Sequence, residues 1–167
     1  WATGGVGSRA VPAVVDHPDL ELVGALVYRD EKAGRDVGEL CGIGPIGVTT
    51  TKEPADIHAL DADCVLYMPQ GELNPARALD DICELLASGK NVISTALTAL
   101  IYPKHMGQPV VDRLEKACAE GGVTLHGTGI HPGGITERFP LMVSALSARI
   151  THVRAEEFSD IRTYAAP

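Results

Sequence analysis

The sequence predicts an α/β fold: a doubly wound parallel sheet with helices on both faces. Three observations carry this expectation. Aliphatic runs alternate with amphipathic stretches along the chain, as repeated β-α units require. Apolar residues make up 45% of the 167 residues but aromatics only 4%, so the core is built from Val, Ile, Leu and Ala, a palette suited to parallel strands under helices. A glycine-rich turn, Ala2-Thr3-Gly4-Gly5-Val6-Gly7, runs directly into a helical pattern.

Taken in order, Val6, Ala10, Val11, Val14 and Val15 recur at helical spacing, and Pro18 ends that helix. Residues 20–28 (LELVGALVY) read as a strand. Residues 31–45 are rich in Gly and charge, a loop with at most one helical turn, and residues 48–51 form a short edge strand. Residues 64–68 (CVLYM) are a buried strand ended by Pro69. Asn74 then caps a helix with Pro75 at its first position, running to Ser88 and stopped by Gly89. Residues 91–94 are a short strand; a helix follows from about Met106 to Glu120, closed by Gly121 and Gly122. Residues 123–126 are another strand, 127–134 a loop and 135–146 a helix. Residues 150–158 alternate apolar and polar, as a half-exposed strand does.

The chain opens without Met, with its glycine turn at position 2 and no strand before it, although that turn exists to link a first strand to the first helix. At the other end it stops at Tyr164-Ala165-Ala166-Pro167, just after the last expected strand. The expectation is a domain truncated at both ends, with most of its first strand missing and the start of a second domain.

The net charge of −8 opposes nucleic acid and anionic membranes as partners, since both are bound by Lys/Arg patches. No run approaches the roughly 18 apolar residues of a membrane span, and no secretory leader opens the chain. Cys41, Cys64, Cys83 and Cys118 are widely spaced and form no Cys-x-x-Cys pair, so they read as reduced, mostly buried thiols of a cytoplasmic protein. No metal site is expected: ligands are not clustered, and His126 and His131 lack a third ligand.

The turn at residues 2–7 fits the [G/A]-x-G-x-x-G pattern of a dinucleotide-binding (Rossmann) domain. Gly4 lets backbone approach a pyrophosphate, Gly7 lets the helix pack close, and the amides of Gly5, Val6 and Gly7 face an anion at a helix N-terminus. A second strand ends roughly twenty residues on, where the ribose is read. That position holds Tyr28 and Arg29 rather than an acid, and a guanidinium pairs with a 2′-phosphate, which favours NADP over NAD. A register slip of two residues would bring Asp30 or Glu31 there and reverse the preference.

In an open α/β sheet, ligands bind beyond the carboxyl ends of the strands. Candidates on that ground are Met68, Pro69 and Gln70, then Thr95, Ala96 and Leu97, then the loop Gly127-Thr128-Gly129-Ile130-His131-Pro132-Gly133-Gly134. Backbone so permissive can approach a ligand or simply turn into the next helix, and His131 is suited to contact a substrate or carry a proton. Other histidines read as structural or surface residues.

The segments WATGGVG, HPDLELVG, GRDVGEL, ALDADCVLYM, GKNVIST and GTGIHPG together resemble the dihydrodipicolinate reductase-like amine dehydrogenases, a family that includes 2,4-diaminopentanoate dehydrogenase. The resemblance implies a two-domain NAD(P)-dependent oxidoreductase: a Rossmann domain at residues 1–133, then at 134–167 the start of an α+β domain that binds substrate and mediates homo-oligomerisation. By it, Ala2, Thr3, Gly4, Gly5, Val6 and Gly7 hold the phosphates, with Ala2 replacing the more usual Gly. Arg29 senses the 2′-phosphate; Met68, Pro69, Thr95 and Ala96 flank the cofactor. The 127–134 loop resembles the Gly-x-Asp-Pro-Gly loop of diaminopimelate dehydrogenases, with His131 in place of Asp.

True dihydrodipicolinate reductases carry His-His-Arg-x-Lys in the last strand, whereas this chain has Ala155-Glu156-Glu157-Phe158-Ser159-Asp160. Losing those cations and gaining acids favours an ammonium-bearing substrate over a dianion. The expected activity is hydride transfer between the nicotinamide and a small amine or amino acid, with Gly129, His131, Glu157 and Asp160 on the substrate side and His131 the candidate proton carrier. The alternatives are dihydrodipicolinate reductase itself and a non-catalytic nucleotide-binding subunit.

Overall fold

A computed structural model describes residues 1–158, 160 and 162. Strand β1 (Ala25–Leu26) pairs with β2 (Thr50–Thr51), while β3 (Cys64–Tyr67), β4 (Asn91–Ser94) and β5 (Leu125–Gly127) pair in that order; all these ladders are parallel. Trp1 and Ala2 join the two groups. The Ala2 amide donates to the Leu26 carbonyl at 2.9 Å, the Trp1 nitrogen to Leu66 at 2.7 Å, and the Met68 amide to Trp1 at 3.1 Å. The order across the sheet is therefore β2, β1, residues 1–2, β3, β4, β5. The first strand of the expected doubly wound order is represented by those two residues, and they stand at its centre.

Helices α1 (Gly7–Val15), α2 (Val37–Leu40), α3 (Pro54–Ala59), α4 (Pro75–Ala87), α5 (Gln108–Gly121) and α6 (Arg138–Ser144) complete the elements. Successive strand residues point to opposite faces, and β1 displays this. Ala25 packs with Val11 of α1 and Val37 of α2. Leu26 joins Ile57 of α3, Val65, Tyr67 and Val92, Ile82 and Leu86 of α4, and Leu114 and Ala117 of α5. Burying Ile82, Leu85 and Leu86 completely contributes roughly 1.5–3 kcal/mol per side chain.

Helix α4 begins as the sequence predicts, with the Asn74 side chain accepting from the Arg77 amide at 3.2 Å and Pro75 following. Gly89, at φ +84°, ends it. Helix α5 starts later than expected because Gly107, at φ +90°, cannot continue a helix from the 3-10 turn Pro103–Met106. Gly122, at φ +66°, stops it.

The charged 31–45 segment contains α2, whose cap is Asp36: its carboxylate accepts from the amides of Gly38, Glu39, Ile46 and Gly47. Helix α3 was not anticipated; Pro54 at its start is its only local signal.

Several expected strands are shorter. Of residues 20–28 only Ala25–Leu26 form a ladder, because residues 21–24 find no backbone partner among the described residues and border a cleft of about 580 Å³. The helix expected over 135–146 is confined to Arg138–Ser144.

Residues 150–158 are not a strand: no backbone hydrogen bond ties them to another segment among the described residues, and Ile150, Val153 and Phe158 are exposed. Alternation alone does not make a strand without an edge to pair with. The expected chain end, Tyr164 to Pro167, and Ser159 lie outside the described residues. All four cysteines are free, but only Cys83 is buried; Cys64, at the start of β3, is exposed.

Candidate cofactor site

A cleft of about 760 Å³ opens at the carboxyl ends of residues 1–2, β1 and β3. Its floor is the glycine turn. Ala2 lies at φ +73°, a left-handed conformation that strains any residue with a β-carbon. The turn closes so tightly that a β-carbon on Gly7 would stand 1.9 Å from the Ala2 carbonyl oxygen. Gly4 and Gly5 differ: nothing lies within 4 Å of a β-carbon on either, and both line the cleft. The amides of Thr3, Gly4, Gly5 and Val6 donate to no acceptor among the described residues. The turn therefore presents unpaired donors into open space where α1 begins, the arrangement that receives an anion.

Cations line the cleft beside this turn. Lys32 donates to both the Thr3 carbonyl, at 2.8 Å, and the Thr3 hydroxyl, at 3.2 Å. Arg29 lies exposed at the end of β1, 3.6 Å from Glu31. Asp30 is turned away into an ion pair with Lys52 and, like Glu31, does not line the cleft. The Lys52 ammonium holds the Asp30 carboxyl below its usual range.

At the far end, Tyr28, Met68, Pro69, Leu73 and Arg77 line the walls. The Arg77 guanidinium lies over the Tyr28 ring, 5.4 Å from its centre, and the Tyr28 hydroxyl accepts from the Trp1 indole at 2.8 Å. Beneath them Tyr67 donates to Asp81 at 2.7 Å. Burial, then that carboxylate, push the Tyr67 phenol well up, so it stays neutral. Tyr28 is also raised, chiefly by burial.

The sequence-predicted residues divide on this geometry. Ala2, Thr3, Gly4, Gly5, Arg29, Met68 and Pro69 line the cleft; Gly7 shapes the turn from behind, and Val6 is exposed beside it. Thr95 and Ala96 do not line it. Ala96 is buried, its amide donating to Ser94 Oγ, and its carbonyl oxygen sits 2.7 Å from where a Gly71 β-carbon would be. Sequence reasoning missed Lys32, Arg77 and Tyr28 as a lining side chain. Only the placement of Lys32 three residues beyond Arg29 hinted at any of them.

In the 127–134 loop three of the four glycines are required by the protein's own packing. A β-carbon would stand 2.2 Å from the Leu100 carbonyl oxygen at Gly127, 2.5 Å from that of Pro132 at Gly129, and 2.6 Å from the Gly129 nitrogen at Gly133. The Gly133 amide donates to Glu137 at 2.6 Å, tying the loop to the approach of α6. His131 Nδ1 lies 3.5 Å from Glu157. Of the three acids expected near the chain end, Glu156 pairs with Arg154 and Asp160 with Arg162, both two residues away. Only Glu157 reaches the loop. Among the described residues no cluster could hold a metal, and no helix is long and apolar enough to cross a membrane.

Comparison with known proteins finds relatives of two kinds. Residues 2–70 match the family described as "Dihydrodipicolinate reductase, N-terminus". An amine dehydrogenase of Streptomyces virginiae is 35% identical over 168 residues, covering 100% of this chain and 47% of that protein. A 4-hydroxy-tetrahydrodipicolinate reductase of Synechocystis is 43% identical over 92 residues, covering 53% of this chain and 32% of the relative. The solved structure of an amine dehydrogenase from Mycobacterium smegmatis superposes with a TM-score of 0.77 at 20% identity, over 90% of this chain and 44% of that one, which establishes the shared α/β fold. The chain thus spans about half the length, or less, of the relatives it matches. The resemblance read from the sequence is borne out as a similarity to dihydrodipicolinate reductases over the first 70 residues and to an amine dehydrogenase over the whole chain.

Proposed function

We propose that this chain is the dinucleotide-binding part of an NAD(P)-dependent amine dehydrogenase that interconverts a small amine or amino acid and its imine. The observation that carries the reading is the turn at residues 2–7, whose unpaired amides open into a cleft lined by Arg29, Lys32 and Arg77. Such a cleft fits a pyrophosphate on the turn and an anionic ribose beyond it. When bound, the nicotinamide supplies or accepts the hydride. The chain's own part is to hold the phosphates with the amides of Gly4, Gly5 and Val6, and to neutralise their charge with Lys32.

NADP is the preferred cofactor. Arg29 lines the cleft while Asp30 is engaged by Lys52, so the carboxylate that would read an unphosphorylated ribose points elsewhere. Residues 1–133 form the cofactor domain on this reading, and 134–167 begin the substrate side. The exposed Phe139, Leu141, Met142 and Val143 of α6 support that division, as an apolar face expects a covering element. His131 and Glu157 are the pair proposed to meet the substrate, with Gly129 shaping their loop. Asp160 contributes less, since Arg162 neutralises it.

Titration of the single tryptophan's fluorescence with NADPH and NADH tests the reading. Saturable binding with NADPH the tighter ligand is expected; no binding of either would overturn it. The substrate class is tested on the whole enzyme: faster turnover of dihydrodipicolinate than of any amine would make the reductase reading the correct one.

A further inference from the structure

We propose that the guanidinium of Arg77, lying over the Tyr28 ring, is the platform on which the adenine ring of the dinucleotide stacks. This rests on the dinucleotide reading above and adds an adenine-binding residue to it. Arg77 lies in the first turn of α4, where the Asn74 cap fixes the backbone by accepting from the Arg77 amide. Its guanidinium makes no ion pair among the described residues, although Asp80 and Asp81 follow closely on the same helix. Those acids are otherwise engaged: Asp80 takes Arg113 and Asp81 takes the Tyr67 hydroxyl. Arg77 instead lies over an aromatic face, 5.4 Å from the ring centre.

That ring is itself fixed. The Tyr28 hydroxyl is held by the Trp1 indole at 2.8 Å, so Tyr28 is a rigid backing for the guanidinium. A planar cation with one face on an aromatic ring keeps its other face for a second π system, and a purine is such a ligand. The position agrees with the length of a dinucleotide. Phosphates lie on residues 2–7, the ribose at Arg29, and the base falls to the next lining group, with Pro69 and Leu73 supplying apolar surface in the same cleft. An ammonium could match the charge of Arg77 but offers no plane to stack on.

The test measures calorimetric affinities of wild type, Arg77→Leu and Arg77→Lys for adenosine 5′-monophosphate, adenosine 2′,5′-bisphosphate, nicotinamide mononucleotide and NADPH. Arg77→Leu is expected to weaken both adenosine ligands and NADPH by a similar factor, roughly five- to tenfold, and to leave nicotinamide mononucleotide unchanged. Arg77→Lys is expected to recover less than half of that loss. Because Arg77 is exposed, both variants should melt as wild type does, and their circular dichroism checks this. Unchanged affinity of Arg77→Leu for adenosine 5′-monophosphate overturns the proposal. So does a loss confined to the 2′-phosphorylated ligands, which makes Arg77 a phosphate partner, and so does full rescue by lysine. Failure of the wild type to bind NADPH or either half overturns the dinucleotide reading itself, and this inference with it.

Discussion

The carbonyl oxygen of Ala2 lies 1.9 Å from where a β-carbon on Gly7 would stand. No rotamer change relieves that contact, because the Ala2 oxygen is backbone and a β-carbon's position is fixed by the backbone that carries it. Gly7→Ala therefore forces the turn apart and moves α1 away from the centre of the sheet. The expected cost is roughly 1–3 kcal/mol, seen as a lower melting temperature, together with loss of NADPH binding. A variant that melts and binds like wild type would show that the turn has slack the geometry does not reveal.

Gly4 makes the opposite case within the same turn. A β-carbon there meets nothing within 4 Å, and no positive φ demands glycine. The protein's own packing does not require glycine there, and on the proposed reading the open space serves the pyrophosphate. Gly4→Ala should leave stability within about 0.5 kcal/mol of wild type yet weaken NADPH roughly tenfold or more by keeping the pyrophosphate off the amides. Thermal melts and a fluorescence titration on the same sample separate the two effects. Unaltered affinity would remove the phosphate role from Gly4.

Asp36 carries a pH prediction. Desolvation pushes its carboxyl up, but the amides of Ile46, Gly47, Glu39 and Gly38 together outweigh that and hold it below the usual range. A folded-state value below the unfolded one adds stability that is fully present above the unfolded value, about 4, and is lost as pH falls through the folded value. Melting temperature should therefore decline below about pH 4, in part through this group. Asp36→Asn should lower it by a few degrees at pH 7 and flatten the decline. An acid limb equally steep in the variant would assign it to other carboxylates.

The turn, α4 and the central strands were legible because their signals are local: a glycine spacing, an Asn-Pro start, a short aliphatic run. Residues 21–24 and 150–158 carried strand-like patterns and formed no strand, since a ladder depends on a partner edge that no local pattern encodes. The cofactor cleft was half legible. Ala2, Gly4 and Arg29 sit at motif positions, while Arg77 reaches Tyr28 from a different helix and Lys32 reaches Thr3 from a 3-10 turn, contacts set by tertiary packing alone. The 127–134 glycines were legible only as two alternatives, ligand contact or a turn into the next helix; close backbone approaches from Leu100, Pro132 and Gly129, which no local pattern encodes, give three of them a structural reason.

Arg29 and Lys32 predict separable effects on cofactor choice. Arg29 is largely exposed, with its side chain at 75% accessibility, and its only ion-pair partner among the described residues is Glu31 at 3.6 Å. It is available to a 2′-phosphate and has no part in holding the turn. Lys32 is half-buried and bonded twice to Thr3, so its ammonium both braces the turn and adds positive charge beside the phosphate amides. Arg29→Ser should weaken NADPH by roughly tenfold or more and leave NADH nearly unchanged, since a charge-assisted pair is worth about 1.5–3 kcal/mol. Lys32→Met should weaken both cofactors by a similar factor, because the pyrophosphate is common to them. Dissociation constants for the two cofactors with each variant, at one fixed ionic strength, decide the matter. If Lys32→Met proved selective for NADPH and Arg29→Ser did not, the two roles would have to be exchanged, and the ribose would lie on the Lys32 side of the cleft.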